Sequence, residues 1–95
     1  MKYDRNIAVG KVLRRLRKEI GLSQEQVATK VGLSQPIISK IEYGDRGLAF
    51  IETWLYAEAL GTDVVALIGL SRQAMLADGI DPDEPPSGRV EQPAE

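Results

Sequence analysis

The stretch GLSQEQVATKVGLSQPIISKIEYG, residues 21–44, contains Gly-Leu-Ser-Gln twice, at Gly21 to Gln24 and at Gly32 to Gln35. Each copy sets a serine hydroxyl beside a primary amide. A serine at that place can accept an orphan amide proton at a helix start, and a glutamine amide can both donate and accept. This is the chemistry of hydrogen-bonded recognition, in which no covalent bond changes. Bond-breaking chemistry has little to work with elsewhere in the 95 residues. The absence of histidine removes the commonest general base and metal ligand, and the absence of cysteine removes thiolate sites and disulfides. Carboxylates remain, but no acidic pair sits in a recognisable pocket motif. No catalytic residue, metal ligand or cofactor is therefore assigned, and an enzyme is not expected.

The elements that would position these side chains follow from periodicity and stop signals. In DRNIAVGKVLRRLRKEIG the apolar residues Ile7, Val9, Val12, Leu13, Leu16 and Ile20 recur at helical spacing, with Asp4 or Asn6 as caps and Gly21 as the stop. Ser23 with Gln26 forms a capping box for a second helix, which buries Val27, Ala28 and Val31 and ends at Gly32. Ser34 caps a third, with Pro36 in its first turn, Ile38 and Ile41 inward, and Gly44 in the turn that follows. Two short helices joined by a brief Gly-containing turn have the helix-turn-helix layout. LAFIETWLYAEALG then presents a wide apolar face (Leu48, Phe50, Ile51, Trp54, Leu55, Ala57, Ala59, Leu60), expected at the centre of the core. A fifth helix, VVALIGL, follows Thr62 or Asp63 and is expected to end near Gly69 or Leu70. Residues 71–78 either continue it or form a short sixth helix capped by Ser71. The fold class is all-α.

Charge divides the chain. Residues 1–46 hold ten Lys or Arg against five Asp or Glu, whereas residues 47–95 hold two against nine. A basic face joined to an acidic remainder fits this pattern, so the overall net charge of −2 does not argue against a polyanionic partner. From Gly79 the composition turns acidic and proline-rich, and residues 79–95 are expected to be a disordered tail. No apolar run is long enough to span a membrane, and no signal-peptide pattern opens the chain, so a cytoplasmic location is expected.

Residues 10–70 resemble the Cro/phage-repressor type of helix-turn-helix domain, the xenobiotic-response-element family. The Gly-Leu-Ser-Gln run, Val27-Ala28, Gly32, Ser34, Ile38-Ser39, Ile41-Glu42 and Gly44 all stand in that family's register. The resemblance implies a five-helix, lambda-repressor-like DNA-binding domain over residues 1–70. Two departures stand out: Arg46 is followed by Gly47 where relatives often carry a second basic residue, and Ala49 stands where they often have an Asp or Ser cap.

In this geometry the third helix lies in the major groove with its first residues at the base edges. Gln35 is the best base-reading candidate, because its amide matches the donor and acceptor of one adenine. Ile37, taken as exposed, can meet a thymine methyl; Lys40 can reach a guanine edge or a phosphate; Pro36 contributes shape. Gln24 and Ser39 match positions that contact phosphates in relatives, with Ser34, Lys30 and Arg46 as further phosphate candidates. The cluster Arg14, Arg15, Arg17 and Lys18 reads mainly as the solvated face of the first helix. Arg17 matches the family position that pairs with the glutamate ending the third helix, here Glu42, and that pair would be structural.

The expectation is a sequence-specific transcriptional regulator that reads a palindromic operator in double-stranded DNA as a homodimer, with repression by promoter blockade the mechanically simplest outcome and activation through an exposed acidic surface the other. In relatives the dimer surface lies near the fifth helix, which here implies Val64, Val65, Leu67 and Ile68, extended by Met75 and Leu76. Three alternatives share the sequence: an antitoxin whose acidic tail binds a protein partner, a restriction-modification controller, and an adaptor that keeps the fold without reading DNA.

Overall fold

The computed structural model describes residues 4–84. Five helices follow one another: α1 (Asp4–Glu19), α2 (Gln24–Val31), α3 (Gln35–Tyr43), α4 (Phe50–Ala59) and α5 (Val64–Ala77), with no strand among the described residues. α1 packs on α3 and α5, α2 on α3 and α4, and α4 on α5. Val12, Leu13, Val27, Ile38, Ile41, Tyr56 and Leu67 are the large side chains at the centre, a single core shared by all five helices.

The local signals act where their chemistry allows. The Ser23 hydroxyl accepts from the Gln26 amide at 3.1 Å while the Gln26 side chain accepts from the Ser23 amide at 2.8 Å, so two orphan donors are satisfied reciprocally. Asp63 caps α5 by accepting from the Ala66 amide. Asp4 and Asn6 both lie inside α1 rather than before it. Gly44 closes α3 at φ 89° with Ile7 packed against it, and at Gly10 a Cβ would overlap the Ile41 and Glu42 carbonyl oxygens. These two glycines let the α1 and α3 backbones approach closely. That approach sets Arg17 beside Glu42.

Three expectations change. α5 runs through Gly69 to Ala77, so residues 71–77 continue the fifth helix and no sixth helix follows among the described residues. Glycine in a helix interior costs about 1 kcal/mol; the burial of Leu67 and Ser71, with Leu70 and Ala74 packed against the core, offsets it. The second change concerns α4, whose Tyr56, Ala57 and Leu60 are buried while Phe50, Ile51, Trp54 and Leu55 face outward. Tyr56, not the Trp or Phe, is the aromatic anchor of the core. Finally, residues 79–84 of the expected tail return to the helices. Arg5 donates to the Asp81 and Glu84 carbonyls, and Arg72 forms a bidentate pair with Asp83 at 2.6 and 3.0 Å. Residues 85–95 of that tail lie outside the described residues.

Candidate nucleic-acid interface

The site begins at a buried charge. Arg17, on α1, donates from Nε to Glu42 Oε2 at 2.6 Å and from Nη2 to Glu42 Oε1 at 3.0 Å, and its Nη1 donates to the Leu22 carbonyl at 2.9 Å. Both side chains are nearly excluded from water. The hydrogen bonds it donates to Glu42 hold the Arg17 guanidinium above its ordinary pKa, against a smaller opposing effect of burial. Next to the pair lies fully buried Tyr56, whose hydroxyl is pushed up by burial and then by the Glu42 charge.

From this pair a chain of hydrogen bonds leads outward. Gln24 Nε2 donates to Glu42 Oε1 at 3.0 Å, and Gln35 Nε2 donates to Gln24 Oε1 at 2.7 Å. Polarity runs one way along it. An ionised carboxylate only accepts, so Gln24 must turn its NH2 inward and its oxygen outward. That oxygen in turn takes one of the two Gln35 donors. Gln35 keeps its second N–H and its own oxygen, the pair of groups that matches adenine N7 and N6. A buried glutamate thus orients an amide two hydrogen bonds away from it. Gln35 is the first residue of α3, so the oriented amide stands at the end of that helix that a major-groove docking brings to the bases.

The other expected contacts are distributed around this amide. Pro36 and Lys40 are exposed on α3, Ser39 is half-buried, and Ser34 and Lys30 are exposed. Ser34 makes no side-chain cap bond, unlike Ser23. Ile37 departs from the exposed position assumed for it: it is half-buried and packs against the core. Arg46 is committed elsewhere. Its Nη1 and Nη2 each lie 2.9 Å from Glu52, whose carboxylate also accepts from the Ala49 amide. Glu52 therefore supplies one half of a capping box, the bond to the Ala49 amide, while the half that needs a side-chain acceptor at residue 49 is not made; its carboxyl is held below the ordinary value first by Arg46 and then by that amide.

The six residues expected at a dimer surface separate. Val65, Ile68 and Leu76 are exposed, Val64 and Met75 are half-buried, and Leu67 is only 2% exposed. Leu67 is turned into the bundle and is core. Phe50 and Trp54, meeting edge to face at a centroid distance of 6.4 Å, join Val64 and Ile68 along an open apolar groove. Apolar periodicity alone points both rings inward; α4 instead packs on α2 and α5 through Tyr56 and Ala57 and leaves Phe50 and Trp54 exposed. The Gln24–Gln35 bond was missed too, although identical glutamines at the same place in both copies were its signal.

No group of three acidic, His or Cys side chains that could hold a metal ion occurs among the described residues, and no single helix there is long and apolar enough to cross a membrane. Residues 13–67 match the family described as Helix-turn-helix. An uncharacterized HTH-type transcriptional regulator, y4dJ, of Sinorhizobium fredii is 40% identical over 65 residues, which is 68% of this chain and 84% of the relative. The solved restriction-modification controller protein C.AhdI from Aeromonas hydrophila is 32% identical, with a TM-score of 0.66 over 68% of this chain and 98% of that one. A mutant of the controller C.Esp1396I bound to its highest affinity operator site is 27% identical, with a TM-score of 0.72 over 79% and 99% of the two chains.

Proposed function

Because the chain belongs to the helix-turn-helix family of Cro/C1-type transcription regulators, a DNA-binding and not an enzyme family, we propose that it is a cytoplasmic repressor reading a palindromic operator as a homodimer. The observation that carries this reading is the Arg17–Glu42–Gln24–Gln35 chain, which leaves one amide oriented and half unsatisfied at the start of α3. An exposed glutamine without such support samples many rotamers and loses that entropy on binding. Here much of the ordering precedes binding, and Gln24 and Ser39, with the exposed Ser34, Lys40 and Lys30, stand as phosphate or base contacts around it. Arg46 contributes less as a phosphate contact, since it must first release Glu52. Pro36 and the exposed edge of Ile37 add shape.

One short helix reads few base pairs, and two-fold pairing sets two copies about 34 Å apart on one DNA face. The surface for that pairing is the groove of Phe50, Trp54, Val64 and Ile68, with Val65 beside it; large exposed apolar patches are uncommon on monomers. Leu76, exposed on the last turn of α5, and Met75 extend it. A controller of a restriction-modification operon is a second reading, favoured by the two controller proteins among the similar solved structures. Selection from random duplex DNA with the full chain tests the proposal. Enrichment of a palindrome, with one position in each half relaxed by Gln35→Ala, supports it; no enrichment over background removes it. A site upstream of the chain's own gene and a restriction endonuclease gene marks the controller form. Ile68→Asp tests the dimer surface: sedimentation should shift from dimer to monomer, and an unchanged dimer rejects the α4–α5 groove.

A further inference from the structure

Lys11, Arg14, Arg15 and Lys18 stand three and four residues apart on α1, and so share one helix face. In the structure this face lines a groove of about 930 Å³ together with Gln24 and Ser39 from α2 and α3. The groove is cationic after its internal pairs are counted. Glu42 is engaged with Arg17, and the Arg15–Glu19 and Lys11–Asp78 approaches are long, at 3.8 and 3.9 Å between exposed groups. Arg14 and Lys18 form no ion pair among the described residues. Exposed pairs as long as these contribute little in water. Like charges three and four residues apart also weaken a helix by a few tenths of a kcal/mol per pair. A merely solvated face leaves that repulsion standing, whereas a bound polyanion removes it.

We propose that this face of α1 is a second phosphate-binding surface, along which the DNA backbone continues after passing Gln24 and Ser39. The proposal rests on the reading that α3 docks in the major groove. The four cations span about 10 Å of helix at 1.5 Å per residue, and each DNA strand carries a charge about every 3.4 Å along the axis, so the stripe faces more than one phosphate. These contacts carry no base information. They set affinity and its salt dependence, while Gln35 sets specificity.

The test uses the full-length protein, the duplex enriched by selection, and a duplex of mixed sequence. Affinity is measured across a salt series for the wild type, Arg14→Gln/Lys18→Gln, and the control Arg72→Gln, which removes a positive charge outside the groove. Each lost phosphate contact lowers the slope of log affinity against log salt by about 0.9. The double variant should therefore lose about 1.8 from the slope, keep the wild-type preference for the selected duplex, and melt at the wild-type temperature. Arg72→Gln should leave the slope unchanged. A double-variant slope equal to wild type, or a fall matched by Arg72→Gln, overturns the α1 surface while leaving the α3 reading intact. If the wild type itself binds neither duplex in a salt-dependent way, the DNA reading fails and the α1 surface with it.

Discussion

The two Gly-Leu-Ser-Gln copies open helices of 8 and 9 residues, yet they are held in different ways. In the first, Ser23 and Gln26 close a reciprocal box, so the start of α2 is complete within its own turn. In the second, Ile37 occupies the place of Gln26 and Ser34 makes no side-chain cap bond; the start of α3 is held instead by Gln35 reaching back to Gln24 on the neighbouring helix. One copy supports itself. The other is supported across the turn, with polar capacity left for a ligand. Identical local sequence thus acquires a purely structural role in one place and, in the function proposed above, a recognition role in the other, according to the residue three positions on and the helix packed beside it.

The comparison breaks most severely at its root. Arg17→Ala leaves Glu42 buried without its partner, and loss of one partner of a buried pair costs about 3–5 kcal/mol; denaturant titration should register that loss, and a loss below about 1 kcal/mol would mean the pair is not the anchor of the chain. Gln35→Ala should spare the fold and lower discrimination by about 1–3 kcal/mol at one base pair of each half-site, as read by competition between the selected duplex and its single-base variants. Equal discrimination by variant and wild type would detach α3 from sequence reading.

Smaller effects sharpen the contrast between the serines. Ser23→Ala should cost about 1 kcal/mol in thermal unfolding, whereas Ser34→Ala, with no cap bond to lose, should stay within about 0.5 kcal/mol. Equal costs would show the copies to be equivalent. The smallest effect belongs to α4, which starts at Ala49 with no hydroxyl at all. Its Glu52 carboxyl lies below the ordinary 4.5, so it adds stability above that value that is lost as pH falls through its lower, folded value. Acid titration of the melting temperature should therefore flatten slightly in Glu52→Gln, while Ser23→Ala, which removes an uncharged cap, should leave the shape of the acid limb unchanged.

Much of this was legible in the chain itself. Ser23, Gln26, Gly32, Ser34, Pro36 and Gly44 state helix starts and stops because capping and left-handed turns depend on residues within a few positions of one another, and the family register of Arg17 and Glu42 carried their pairing. Less legible were matters settled between distant segments. Leu67 and Ile68 are adjacent and equally apolar, yet one is core and the other surface; Phe50 and Trp54 face out while Tyr56 takes the centre; Arg46 chooses Glu52; and α5 passes Gly69 because Ser71 and Ala74 find packing beyond it.

The sequence by itself determined where α2 and α3 begin and end, that histidine and cysteine chemistry is absent, and that the basic charge lies in the first half. Only the tertiary structure decided which way each amide points. Glu42 lies 25 residues from Arg17 and 18 from Gln24 along the chain, and the polarity of the relay follows from a desolvated carboxylate that exists only after α1, α2 and α3 have packed. Local hydrogen-bonding rules can be read from neighbours in sequence, whereas a partner brought close by burial is known only when the core that buries it has formed.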